Sequence, residues 1–194
     1  MYPFSTITLL MASFTSHLSE NQIAWIQQQP MYFVATAPLQ ADGHINLSPK
    51  GLDSFRVLDE KTVAYLDITG SGNETSAHIH ENGRVTFMWC SFGEKPKIFR
   101  IYGKGEIVLP ETERWQQLIS HFDELPGARQ IIVNHISKTQ TSCGFGVPVM
   151  EFKHNRDTLT DWASNQGKVG IQEYQQKKNV QSLDGLPTPL GIID

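Results

Sequence analysis

A glycine-containing turn leads directly into a predicted helix and has the residue types of an anion site. The stretch 66–79 is LDITGSGNETSAHI, with Gly70 and Gly72 between an apolar run and a helical segment. If Asn73 caps that helix, its first amide groups point back at the turn and have no partners inside the helix. Such an end attracts anions, and glycines let a ligand approach the backbone closely. The alternative is an ordinary turn followed by a capping asparagine.

Cations elsewhere in the sequence could assist such a site. Lys50 follows Ser48 and Pro49 in GHINLSPKGLDSF and supplies the positive charge that the glycine turn lacks, although a solvated turn lysine is the alternative. Lys97 and Arg100 lie beside a predicted aromatic strand, which could face either solvent or a ring system. The turn matches neither the Walker loop nor the Rossmann fingerprint.

Cysteines and histidines give no sign of a metal site or a disulfide framework. Cys90 and Cys143 are the only two cysteines and are far apart, which favours a reducing cytoplasm. We expect Cys143 to be a small buried packing residue rather than a redox thiol. His78 and His80 are two positions apart, so on a helix they do not share a face, and no metal is predicted.

The composition is that of one folded domain. The chain has 194 residues, of which 39% are hydrophobic and 19% are charged, with a net charge of -4 and a pI near 6.0. This balance gives no general attraction for nucleic acid or anionic lipid, and no run is long enough to span a membrane. We predict a disordered leader over residues 1–18 and a single domain over residues 19–194, with C-terminal helices and a tail.

The elements that must position these residues are short strands with a few helices around them. Ser19 and Gln22 form a capping-box pattern before a helix that runs through Gln29. Further helices are predicted over 73–82, 111–122, 157–167 and 169–178. Runs rich in β-branched and aromatic residues predict an antiparallel sheet or barrel. They are MYFVATAP, HINLSP, TVAYLDIT, RVTFMWCSF, IFRIYGKGEIVL, IIVNHI and TSCGFGVPVMEF.

Several segments in series resemble the pyridoxamine 5'-phosphate oxidase-like family of flavin-binding split-barrel proteins, and an uncharacterised subgroup of it in particular. The segments are NLSPKG, GSGNETSAHI, NGRVTFMWCSF, KPKIFRIYGKGEIV, QTSCGFGVP and a DGLP tail, and the resemblance covers roughly residues 19–187. The resemblance implies a mainly β fold with peripheral helices, a six-stranded antiparallel Greek-key split barrel. It also implies a homodimer that binds FMN in grooves between the subunits.

The resemblance also implies which residues surround FMN. The strand around Asn46 to Lys50 would follow the ring and ribityl chain, and residues 67–69 would continue that wall. Residues 73–75 would lie at the phosphate, Lys97 and Arg100 at the flavin edge, and residues 141–145 of the second subunit would close the groove. The implied cofactor-binding residues are Asn46, Ser48, Pro49, Lys50, Asp67, Ile68, Thr69, Asn73, Glu74, Thr75, Lys97, Arg100, Ser142 and Cys143.

The sequence departs from the oxidases of that family at two places. Where they carry an Arg-Lys pair at the phosphate, this chain has Asn-Glu-Thr, and Glu74 is unfavourable there unless it turns outward. The Arg-x-His segment that grips their substrate has no counterpart in the C-terminal tail. We therefore predict an FMN-dependent oxidoreductase for an unspecified small molecule, and not an efficient pyridoxamine phosphate oxidase. The alternative is a barrel that binds or stores flavin, haem or deazaflavin without turnover, or one that has lost its cofactor.

Overall fold

Antiparallel strands dominate the structure. A computed structural model describes residues 12–191 of the chain. Within that range there are eight strands: β1 (Ser13–Thr15), β2 (Tyr32–Thr36), β3 (Asn46–Lys50), β4 (Phe55–Asp59), β5 (Thr62–Ile68), β6 (Arg84–Cys90), β7 (Ile98–Val108) and β8 (Ala128–Ser142). All of their pairings are antiparallel. The predicted class, mainly β with peripheral helices, is confirmed, with two strands more than the six expected.

Four helices lie around the sheet, and their ends follow local sequence signals. They are α1 (Glu20–Gln27), α2 (Glu74–Asn82), α3 (Glu113–Ile119) and α4 (Thr158–Lys178), with a short 3-10 turn at Pro189–Gly191. Ser19 and Gln22 form the predicted capping box at α1. Gly83 ends α2 in the left-handed conformation. Gly167, with φ 65° and ψ 175°, interrupts α4 between the two predicted helices. No helix in the described part of the chain combines the length and apolarity needed to cross a bilayer.

The sheet curls into a split barrel. The strand order is β3-β2-β6-β7-β8-β5-β4, and β1 pairs separately with β8. Tyr32 on β2 nevertheless packs against Phe55 on β4, with ring centroids 5.3 Å apart, and against Tyr65 on β5 at 5.9 Å. Strands near the two ends of the order therefore share one core. Trp89 and Phe87, each at most 1% exposed, fill its centre.

One edge of this sheet is β3. It pairs with β2 on one side only, and Pro49 lies opposite Phe33 in that ladder. Side chains alternate along the strand, so Asn46, Ser48 and Lys50 are partly buried while Leu47 and Pro49 are exposed. The strand thus presents a polar row on one face.

The two longest strands, β7 and β8, pair in the middle of the sheet, and β7 bends at Gly103. The register between the two strands shifts between Tyr102 and Gly103. A Cβ at Gly103 would collide with Asn134 Oδ1 and with the carbonyl of His135, so the bend accepts only glycine.

The structure corrects three predictions of element boundaries. The segments IIVNHI and TSCGFGVPVMEF were predicted as two strands, but β8 is continuous from Ala128 to Ser142 because its β7 partner extends equally far. Residues 143–157, which we name the apolar loop, then have no helix or strand. The missed strand β4 lacks the expected alternation because nearly all of its residues are half-buried.

The predicted leader is wrong for its last residues. Ser13–Thr15 pairs with Thr139–Thr141 of β8, and the hydroxyl groups of Thr15 and Thr139 are 2.7 Å apart. Leu18 is 2% exposed because it joins the aromatic core. Residues 1–11 of the predicted leader, and residues 192–194 of the tail, lie outside the described residues.

Candidate functional site

A long groove opens beside the split of the barrel. Its volume is about 1980 Å³, larger than the roughly 300–1,000 Å³ of an ordinary small-molecule pocket. Its lining comes from β3 with the residues after it, from the β6–β7 connection, from the end of β8, from the glycine turn 70–75 and from the apolar loop. The predicted site segments therefore meet in one cavity.

The glycine turn presents free backbone amides to this groove. In residues 12–191 no acceptor reaches the amides of Glu74, Thr75 or Ser76, the first three residues of α2. Asn73 precedes them but makes no side-chain cap, which corrects the prediction. Its amide group instead donates to the carbonyl of Asn179 at 3.1 Å and accepts from Gln130 at 2.8 Å. The helix end is therefore left to water or to a ligand.

The C-terminal residues 179–191, named the C-terminal strap, hold the glycine turn from behind. Asn179, which is fully buried, donates to the carbonyl of Gly70 at 3.0 Å. Thr69 faces inward too, since it donates to the carbonyl of Gly127 and accepts from Gln175. Glu74 accepts from the backbone N–H of Leu183 with both carboxylate oxygens, at 3.1 and 3.0 Å. Its charge is therefore drawn toward the strap.

Asp67 is the centre of a buried charge cluster rather than part of the groove wall. It is 1% exposed and accepts from Lys50 Nζ at 2.7 Å, from Arg129 Nε at 2.8 Å and from Gln130 Nε2 at 2.8 Å. Burial alone would raise the pKa of Asp67, but the charges of Arg129 and then Lys50 hold that pKa well below its usual range. The ammonium group of Lys50 is consequently not the free cation that the sequence suggested.

Arg129 was missed by sequence reasoning. It lies at the start of β8, is 5% exposed and lines the groove. Its Nη1 is sealed from solvent without any acceptor. The available signal was the Arg-Gln pair directly before the apolar run IIV, because charged side chains are rarely buried without a partner.

A polar network fixes the face of β3 that looks into the groove. Asn46 donates to Thr36 at 3.1 Å and to Thr75 at 3.0 Å, and Ser48 donates to Asn46 at 2.7 Å. Thr36 also contacts Nδ1 of the buried His78 at 2.9 Å. This network ties β3 to the first turn of α2, so the two groove walls keep a fixed spacing.

Lys97 is a further cation in the lining of the groove. Lys97 Nζ lies 4.3 Å from the centroid of the Trp25 ring, and partial burial lowers the pKa of Lys97. Arg100 does not line the groove and instead donates to Ser142 at 3.3 Å. Cys143, predicted as buried, is exposed because the regular strand ends at Ser142.

Most of the residues implied by the resemblance line the groove, and three do not. The lining residues are Asn46, Ser48, Pro49, Lys50, Ile68, Asn73, Glu74, Thr75, Lys97, Ser142 and Cys143. Asp67 and Thr69 are buried behind the wall, and the half-buried Arg100 is not part of the lining. Within the described residues, no cluster of His, Cys, Asp and Glu is suited to a metal ion.

Comparison with known proteins decides the family. Residues 18–143 match the family model described as pyridoxamine 5'-phosphate oxidase. The pyridoxamine 5'-phosphate oxidase family protein ustO of Aspergillus flavus is 39% identical over 196 residues, covering 91% of this chain and 78% of that protein. The chain belongs to the pyridoxamine 5'-phosphate oxidase family. The predicted resemblance is thereby confirmed.

Solved structures agree with this family at the level of the fold. A candidate pyridoxamine 5'-phosphate oxidase of Lactobacillus delbrueckii is similar with a TM-score of 0.52 and 22% identity, covering 64% of this chain and 94% of that one. A variant of HupZ from Group A Streptococcus is similar with a TM-score of 0.50 and 22% identity, covering 63% and 98%. At such identities the likeness supports the pyridoxamine 5'-phosphate oxidase fold alone.

Proposed function

We propose that the protein binds FMN in the groove and is a flavin-dependent oxidoreductase acting on a small molecule. The observation that carries the proposal is the continuity of the groove: free amides at the start of α2 open into the same cavity as the polar face of β3 and Lys97. A phosphate at the amides would place a ribityl chain and ring system along β3. Arg129 lines the groove, and its Nη2 has no acceptor within residues 12–191 and is not sealed from solvent, which also fits an anionic ligand.

The residues of this chain would bind and orient, while the flavin supplies the hydride and electron chemistry. Asn46 and Ser48 offer polar atoms along one wall, held in place through Thr36 and Thr75. Lys97 offers a positive charge in the groove lining, where it would favour an anionic form of a ring. No general acid or base is assigned, since flavin chemistry does not require one.

We propose that the active form is a homodimer whose second subunit closes the groove. The support is the apolar loop, which exposes Phe145, Val149, Met150 and Phe152 at 55–63%, and all of these except Val149 line the groove. Contiguous exposed apolar side chains of this kind mark interaction surfaces. Two free thiols, Cys90 and Cys143, are in keeping with a reducing cytoplasm.

Pyridoxamine phosphate is disfavoured as the substrate. The C-terminal strap reaches the groove with Leu183 and carries no arginine or histidine in residues 179–191. A grip on a substrate phosphate is therefore not expected from this segment. We predict turnover of pyridoxamine phosphate to be weak even when the protein is loaded with FMN.

Binding without turnover is the second candidate. His44 and His154 line the groove, so side chains that could bind the iron of a haem lie within the cavity wall. His44 is engaged by Asp184, which leaves His154 as the freer of the two. A haem-binding protein would give a Soret band on titration, and a deazaflavin-binding protein would prefer that cofactor over FMN.

The test of the proposed function is cofactor capture by the purified protein. We expect FMN to co-purify or to bind on titration, with quenching of flavin fluorescence. Ser71→Glu, at an exposed position in the glycine turn, places a carboxylate beside the free amides and is expected to weaken FMN binding at least about tenfold. Ser164→Glu, on the exposed surface of α4, is the matched control. A wild-type protein that cannot be loaded with FMN contradicts the proposal.

A further inference from the structure

Arg129 uses only one of its three guanidinium nitrogens. Its Nε donates to Asp67 at 2.8 Å. Nη1 is sealed from solvent with no acceptor, and within residues 12–191 Nη2 has none either. Since the side chain is 5% exposed, water cannot satisfy most of these donors. Buried donors of this kind nearly always have a partner in the functional state.

The position of Arg129 says where such a partner lies. Arg129 lines the groove together with the glycine turn 70–75. Arg129 contacts Asp67, and Asp67 also accepts from Gln130. Gln130 in turn donates to Asn73 in the glycine turn. The guanidinium therefore lies beside the start of α2, where the first amides are also free. Two independent sets of donors face the same end of the cavity.

The charged side chains beside the start of α2 have a net positive charge. Lys50 and Arg129 contribute two positive charges, and Asp67 contributes one negative charge, so the cluster carries a net charge of +1. Glu74, the nearest acidic residue of the turn, is hydrogen-bonded to the strap at Leu183. An anion at the free amides would complete the balance.

We infer that Arg129 binds the terminal phosphate of FMN, replacing the Arg-Lys pair that the glycine turn lacks. This inference rests on the proposed function of the groove. After Asp67 has taken Nε, Nη2 is the guanidinium nitrogen that is neither hydrogen-bonded within residues 12–191 nor sealed from solvent, so it is the donor that a phosphate oxygen in the groove can reach. Asp67 is then a positioning residue that fixes the guanidinium plane. Lys50 contributes charge but has its ammonium directed at Asp67.

The test compares FMN with riboflavin, which has the same ring and ribityl chain and lacks the phosphate. The readout is the ratio of the two dissociation constants, measured by flavin fluorescence. Arg129→Lys keeps the positive charge and removes the planar guanidinium group with its parallel N–H donors. We expect it to reduce the preference for FMN by about tenfold or more, the equivalent of one charge-assisted hydrogen bond, and to leave riboflavin affinity unchanged.

Two further variants keep the test decisive. Asp67→Asn combined with Arg129→Gln removes both charges of the fully buried pair and leaves Lys50, whose side chain is 22% exposed, as the remaining charge of the cluster; it should also lose the preference for FMN. Lys50→Met leaves the Arg129–Asp67 pair intact and should reduce the preference less than Arg129→Lys does. An equal or larger loss in Lys50→Met would overturn the assignment to Arg129. Arg114→Gln, on the surface of α3, is the outside control.

Inorganic phosphate separates this inference from the proposed function. If the wild-type protein binds neither flavin, the proposed function fails. Protection of the wild-type protein, but not of Arg129→Lys, against thermal unfolding by inorganic phosphate would still support an anion at Arg129. Equal protection of both proteins, or a ratio of FMN to riboflavin affinity unchanged by Arg129→Lys, would overturn the inference.

Discussion

Asp67 carries the electrostatics of the candidate site. It is fully enclosed, and its two carboxylate oxygens accept from an ammonium, a guanidinium and an amide. A buried carboxylate is costly unless it is paired and hydrogen-bonded, and here both conditions are met. The residue thereby keeps two cations at the groove that would otherwise repel each other.

We expect Asp67→Asn to destabilise the fold by about 3–5 kcal/mol, because it leaves two partly or fully buried cations without their counter-charge. The measurement is the free energy of unfolding in urea. Asp123→Asn is the control, since Asp123 is 85% exposed and lies 3.8 Å from Arg56; it should change stability by less than about 1 kcal/mol. Equal effects of the two substitutions would contradict the role given to Asp67.

The pH dependence of stability follows from the same residue. The folded state holds the pKa of Asp67 below its usual range, so its stabilising contribution is complete above the ordinary aspartate pKa. That contribution is lost only as the pH falls through the lowered value in the folded state. Asp67→Asn should therefore flatten the acid limb of a stability–pH curve.

At the residue scale, sequence reasoning found the groove but not its charge balance. The turn, Ser48 and Lys97, which local patterns singled out, all line the cavity, and their binding of a cofactor stays a prediction. Lys50 was taken as a free cation because nothing local reveals that Asp67 pairs with it from 17 positions away. Arg129 was missed since its neighbours in space come from β5, 62 positions earlier in the chain.

At the element scale, the C-terminal strap is the part that holds the glycine turn in shape. Its buried residues Asn179 and Thr188 anchor it, and a turn at Ser182–Gly185 carries Leu183 and Asp184 to the rim of the groove. Asp184 accepts from the backbone N–H of His44 at 2.7 Å and is 2.6 Å from its Nδ1. The tip of the strap thus ends in a titratable pair.

We expect this pair to make the tip of the strap sensitive to pH. The hydrogen bond and the charge of Asp184, helped by Asp42 and Glu74, raise the pKa of His44, while His44 lowers the pKa of Asp184. The pair is therefore intact between the two shifted values and loosens as the pH rises through that of His44. An NMR titration should give His44 a pKa above about 6.5, the ordinary histidine value.

Asp184→Asn is the variant that checks this expectation. It should return the titration of His44 toward the ordinary value and speed amide exchange at Leu183. Asp161→Asn, on the exposed side of α4, should change neither observable. A titration of His44 that is the same in Asp184→Asn as in the wild-type protein would contradict the pairing.

Elements were predictable where their signals are local. The capping box at Ser19, the stop at Gly83 and the break at Gly167 each depend on neighbouring residues, and each was confirmed. The extent of β8 was not predictable, because it depends on the length of β7 across the ladder. The strand β1 was missed for the same reason, since its only partner is β8.

At the scale of the whole molecule, the apolar loop bears on the oligomeric state. We expect a dimer in sedimentation experiments, and we expect Val149→Asp combined with Phe152→Asp to give monomers with weakened FMN binding. The reason is that a buried interface does not accept unpaired carboxylates. Val169→Asp is the matched control, because Val169 is equally exposed, at 68%, on α4. A wild-type protein that sediments as a monomer would contradict the proposed homodimer.

The proline in β3 bears on the resistance of the protein to aggregation. An open barrel leaves a strand whose outer side could recruit a strand of another molecule, the first step toward fibrous aggregates. Pro49 in this strand has no backbone N–H group to donate, and prolines within sheets are confined to such edges. A proline in an edge strand is one of the features that discourage polymerisation, so the cleft beside β3 can stay accessible to small molecules.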